Sequence, residues 1–146
     1  MDPKNPDYQR AVETIVAIAP FIQEVAIRLD AVGAGWCDMS IALETKHLQQ
    51  DGYVHAGALM TLADHTAGCA ATSLVAADEY VLSAEFNISM LHAAKGETLQ
   101  CRAEVIKPGR RLIVAESSVY ACANGQRKLV AKARVTLAVL QRMVDR

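Results

Sequence analysis

Aromatic side chains are scarce in this chain: phenylalanine, tyrosine and tryptophan together make up 5% of its 146 residues. A core with few rings must be packed from small aliphatic groups, and the abundance of alanine implies backbones that approach one another closely. Long apolar runs are missing too. None approaches the ~20 residues of a membrane-spanning helix, so no membrane partner is expected. Charge of one sign is also lacking. A formal net charge of −1 provides no general basic field, which argues against nucleic acid as a partner but leaves room for a local basic pocket. Cys37, Cys69, Cys101 and Cys122 lie far apart, with no CxxC pair. With no secretory leader, they read as reduced thiols of a cytoplasmic protein. Cys101 and Cys122, set in alternating strand patterns, read as small core residues. No repeat, linker or low-complexity tract divides the chain, and its length suits one domain around one core.

What is present is a clear order of elements. Residues 7–24, "DYQRAVETIVAIAPFIQE", carry helical spacing at Val12, Ile15, Val16 and Ala19. Pro20 should break or kink this helix, because it lacks an amide hydrogen and clashes with the preceding turn. Residues 1–24 thus read as an N-terminal helical extension and residues 25–146 as the main domain. From Val25 to Leu43 two strands are expected, with a bend or bulge near Gly33 and Gly35. Residues 57–76 form the longest helix candidate. It is apolar nearly all round, which predicts burial nearly all round, and its only ionisable groups are Asp64 and His65.

Four strand patterns follow. Ala84, Phe86, Ile88 and Met90 alternate with Ser83, Glu85, Asn87 and Ser89, and Leu99, Cys101, Ala103 and Val105 continue the pattern. Residues 112–122 and 128–140 are joined through "ANGQR", whose Asn124-Gly125 pair favours a tight hairpin turn. The "KPGRR" of residues 107–111 predicts another turn. Helices segregated from antiparallel strands define an α+β fold, with a single sheet curled around one central helix. Such a sheet leaves an edge strand that a second copy can cover, which predicts a homodimer.

Asp64 is the residue that asks for an explanation. A carboxylate on a buried helix is costly unless it is paired, hydrogen-bonded or neutralised, so a polar crevice, a backbone partner or an ion pair would each account for it. Gly57, seven residues earlier, lies on nearly the same helical face. It also sits where the helix begins and where free backbone N–H groups attract developing negative charge. A carboxylate and an anion-binding helix start on one face suit hydrolysis of an ester or thioester. No metal site is expected, since His47, His65 and His92 share no ligand-like spacing.

Gly52, His55, Gly57, Leu62 and Asp64 together read G-x-x-H-x-G-x-x-x-x-L-x-D. This resembles the signature of the hotdog-fold acyl-CoA thioesterases, most of all the PaaI-like branch, the phenylacetyl-CoA thioesterase type. The stretch "LSAEFNISMLHAAKGE" is similar to that family's strand after the central helix. The resemblance implies a hotdog fold and hydrolysis of acyl-CoA thioesters at sites between two subunits, in a dimer or a dimer of dimers. It makes Asp64 the general base or the nucleophile. The loop at His55 and the N–H groups of Ala56 and Gly57, from the facing subunit, would polarise the thioester oxygen. Ser83 would position the water or Asp64. The family usually has Gly at the place of Ala56 and Asn at the place of Gln49, whose amide would still reach toward the carbonyl. Lys95, Lys107, Gly109, Arg110 and Arg111 would lie beside the coenzyme A channel, their cations meeting its phosphates. No cofactor is required, coenzyme A being part of the substrate. Apolar side chains such as Met60, Phe86 and Leu91 are expected to line the acyl pocket between subunits. Two other readings remain open: a non-catalytic acyl-CoA binding or sensing dimer, and a hotdog hydratase or dehydratase.

Overall fold

The computed structural model describes residues 1–143. Two short helices, α1 (Tyr8–Ile18) and α2 (Pro20–Val25), precede the hairpin β1 (Ile27–Gly33) and β2 (Trp36–Ala42). The central helix α3 (Ala56–Thr72) follows, and then β3 (Glu79–Met90), β4 (Thr98–Pro108), β5 (Leu112–Ala123) and β6 (Gln126–Gln141). Pro20 does end α1, and it stands at the first turn of α2, where its missing N–H is one that a helix start leaves free anyway. Between β1 and β2 the chain makes a turn with Gly35 at φ +83°. This is the expected bend between the two strands, and a β-bulge lies inside β1 as well, between Leu29 and Ala31. Asn124 and Gly125 both take positive φ in the hairpin between β5 and β6.

The six strands form one antiparallel sheet in the order β1-β2-β4-β5-β6-β3. The order is not sequential. After α3 the chain places β3 at one edge beside β6, then crosses to start β4 beside β2. The inward positions of β2, β4, β5 and β6 alternate along each strand and wrap α3, whose Leu62, Ala63, Ala67, Ala70 and Ala71 are fully buried. Alanine on the helix lets the sheet approach closely, as the scarcity of rings requires. Leu62 fills the centre, where truncation to alanine would cost about 2–5 kcal/mol. Val12, Val16 and Ile22 seat the N-terminal helices on the same core.

Burial of α3 is not all-round. Gly57, Thr61, Asp64, His65, Gly68 and Thr72 form a half-exposed stripe along it, and Met60 is 40% exposed. The outer edge of β3 is also uncovered, with Leu82 55% and Met90 43% exposed. A curled antiparallel sheet around one central helix, with a helical segment before it, is the hotdog fold.

Candidate active site

Asp64 stands midway along α3, and its Oδ1 accepts a 2.6 Å hydrogen bond from Ser83 Oγ. The strand reaches it through a local irregularity. Plain alternation puts Ser83 on the outer face, opposite to Phe86 and Ile88. In β3 the register slips between Ser83 and Glu85, leaving Ala84 unpaired. This β-bulge switches the phase, so Val81 and Ser83 share the helix-facing side with Phe86 and Ile88. Among the described residues no salt bridge involves Asp64. Its partner is a hydroxyl, and it lines a cavity of about 310 Å³.

His65, the next residue, lines the same cavity. Burial lowers its pKa from the usual value, against the opposing pull of Asp64. The ring is therefore neutral near pH 7, and its Nε2 lies 3.8 Å from Cys69 Sγ. Burial also pushes the Cys69 thiol up to about 12, which leaves no thiolate nucleophile here.

The start of α3 is built around His55. As N-cap it has extended backbone, and its ring Nδ1 accepts the Gly57 N–H at 2.8 Å. A side chain at Gly57 would press on that ring, 3.0 Å from Nδ1. The Gly57 amide is thus already engaged, whereas no hydrogen bond within the described residues takes up the Ala56 N–H. Gln49 Oε1 accepts the N–H groups of Asp51 and Tyr53. That leaves its amide nitrogen free to donate. Gln49 and Ala56 line a common groove of about 370 Å³ with Met90 and Leu91.

His47 holds this end of the site together. It is 3% exposed; its Nε2–H donates to the Val25 carbonyl at 2.6 Å and its Nδ1 accepts the Glu44 N–H at 3.0 Å. Its own carbonyl accepts the His55 N–H at 2.8 Å. Spacing in the sequence gave no sign of this role, because its partners are backbone groups.

The structure therefore brings the sequence candidates together in two halves. Asp64 and Ser83 meet beside the first half of β3. Gln49, Ala56, His55 and Gly57 gather at the helix start, near the far end of β3. The cationic positions also divide. Lys95 lies over the Tyr53 ring, 4.5 Å from its centroid, close to the start of α3. Gly109 and Arg110 border a cavity with Leu74 and Val75, beyond the end of α3. Gly109 has a packing reason of its own, since a Cβ there would sit 2.0 Å from the Leu112 carbonyl oxygen. Lys95, Lys107, Arg110 and Arg111 take part in no ion pair among the described residues. Phe86 packs on the core, Leu91 borders the Gln49 groove, and Met60 is exposed. The aliphatic walls of the Asp64 cavity are Ile15, Val81, Leu82 and Leu137, and Tyr80 and Arg142 line it beside them. No group of three His, Cys, Asp or Glu among the described residues is arranged to hold a metal.

Fold and site together define a hotdog-fold protein with a carboxylate–hydroxyl pair on its central helix. The model of the thioesterase superfamily matches residues 51–136, and the chain belongs to that superfamily. It is 34% identical to a thioesterase family protein from Silicibacter pomeroyi, whose crystal structure superposes with a TM-score of 0.90 over 92% of this chain and 98% of that one. A conserved protein from Pseudomonas aeruginosa is 29% identical, with a TM-score of 0.77 and coverage of 84% and 95%. The 1,4-dihydroxy-2-naphthoyl-CoA hydrolase of Listeria monocytogenes is 27% identical over 117 residues, 80% of this chain and 93% of that one.

Proposed function

We propose that this protein hydrolyses acyl-CoA thioesters to the free acid and coenzyme A, at sites completed by two copies of the chain. The observation that carries this reading is the state of Asp64. Its carboxylate faces a cavity, is held by the Ser83 hydroxyl at 2.6 Å, and has no cation among the described residues to account for it as a structural ion pair. The two halves of the site lie toward opposite ends of β3. An antiparallel pairing of two β3 edges sets the acid half of one copy against the donor half of the other.

In that arrangement Asp64 takes a proton from water as it attacks the thioester carbon, or attacks the carbon itself to form a mixed anhydride that water then cleaves to the free acid. Negative charge builds on the carbonyl oxygen, where the Ala56 N–H and the Gln49 amide nitrogen of the facing copy donate to it. The Gly57 N–H serves the His55 cap rather than the substrate. Collapse of the tetrahedral adduct breaks the C–S bond. An ordinary thiol has a pKa of about 8.5, so coenzyme A leaves as a thiolate without a strong acid. Lys95 of one copy and the 107–111 turn of the other offer cations to its phosphates.

The test is thiol release from a panel of acyl-CoA esters. Asp64→Ala should lower kcat by ~10²–10⁴ and still bind a non-hydrolysable acyl-CoA thioether. Normal turnover in this variant would sink the mechanism. Binding without turnover in the unaltered protein would leave an acyl-CoA binding dimer instead.

A further inference from the structure

The cavity that starts at Asp64 and Ser83 is closed by a residue from outside the central domain. Ile15 of α1 lines it together with Gly68 of α3, Val81 and Leu137 of the sheet, and Tyr80 and Arg142. The position of Ile15 is well defined. Val12 and Val16, 0% and 8% exposed, fix one face of α1 on the core, and the neighbouring half-buried Ile15 turns toward the cavity. α1 is tied to α2 as well, through a 2.6 Å bond from Gln23 Nε2 to the Val16 carbonyl. Gly68, also in the lining, leaves space: a Cβ built there would find Leu137 Cδ2 at 3.9 Å as its nearest neighbour. An unsubstituted helix position and an aliphatic side chain seated on the core thus bound the same pocket.

Size then indicates what enters. The cavity holds about 310 Å³, at the small end of the ~300–1,000 Å³ of ligand pockets. About 150 Å³ suffices for benzene. We propose that Ile15 is a specificity-determining residue, closing an acyl pocket that admits a compact group and excludes a long fatty chain. A compact group here means one aromatic ring on a short linker, or a hexanoyl-sized chain. The proposal rests on the thioesterase reading and adds the substrate class.

The experiment compares kcat/KM for acetyl-, hexanoyl-, phenylacetyl- and palmitoyl-CoA. The unaltered protein is expected to prefer the hexanoyl and phenylacetyl esters over palmitoyl by tenfold or more, since one methylene in an apolar pocket is worth about 10–200-fold. Ile15→Ala should raise the palmitoyl-to-hexanoyl ratio. Ile15→Trp should lower the phenylacetyl-to-acetyl ratio by about tenfold or more. Gly68→Ala should lower it too, and its fold is safe because alanine favours a helix over glycine by about 1 kcal/mol. A parallel calorimetric series measures binding of hexanoyl and phenylacetyl thioether analogues of coenzyme A to the same variants. Hydrolysis with one unchanged preference across all variants overturns the wall assignment and leaves the thioesterase reading intact. Analogue binding that follows these substitutions, without hydrolysis of any ester, overturns the reading and keeps the wall. Absence of both overturns both.

Discussion

At the scale of single residues, the decisive contrast is between two neighbouring amides. Gly57 spends its N–H on His55, and Ala56 keeps its own free among the described residues. Ala56 is the first residue of α3, a place where proline is welcome because its missing N–H breaks no helical bond. The preceding His55 has φ −60° and ψ 136°, the extended backbone that a following proline demands. Ala56→Pro should therefore fold normally by circular dichroism and lose ~10²–10³ in kcat. Unimpaired turnover would move the oxyanion donor elsewhere. His65 offers a test of burial. Its folded pKa lies below the ordinary 6.5, so the unfolded chain binds the proton more readily. Stability is then complete above pH 6.5 and is lost as pH falls through the folded value. Thermal melts between neutral and mildly acid pH should show a fall in Tm that His65→Gln makes shallower.

At the scale of elements, tight turns are the sensitive joints. In the β4–β5 turn a methyl on Gly109 would collide with the Leu112 carbonyl, so Gly109→Ala should destabilise by about 1–3 kcal/mol, visible as a lower urea midpoint. The same scale shows what the sequence could tell. The α1–α2 break, the 56–72 helix and all six strands followed from periodicity, proline and turn residues. The helix stopped short of the expected residue 76, since apolar periodicity runs on past its end. Ser83 was singled out through family likeness alone. Its inward aim depends on the bulge at Ala84, and a one-residue slip leaves no mark in the pattern of apolar residues. Ile15 was read as one more residue of an apolar helical face, because periodicity does not separate a core contact from a cavity wall. The links of His47 and Gln49 to backbone amides and carbonyls were equally hidden, as such partners carry no sequence signal.

At the scale of the whole molecule, each proposed site needs one acid half and one donor half from different copies. Sedimentation should give about twice the 15.8 kDa chain mass, or four times for a dimer of dimers. A mixture makes the sharper test. Asp64→Ala and Ala56→Pro are each expected to be inactive, but a mixed pair holds one site with both halves intact. Equal amounts, unfolded and refolded together, should recover about a quarter of normal activity if the pair is two-fold symmetric. No recovery would mean that each chain builds its site alone. His47, through its ring on one side and its backbone carbonyl on the other, has a consequence of another kind. It joins the end of the N-terminal helices, at Val25, to the residue that caps α3. The α1 side of the Asp64 cavity and the amide proposed to bear the oxyanion are thereby fastened to one mechanical frame. A change that reshapes the pocket through α1 can strain the helix start as well. In the proposed enzyme, acyl preference and turnover would then not be independent dials, and variants selected for a new substrate should often arrive with an altered rate.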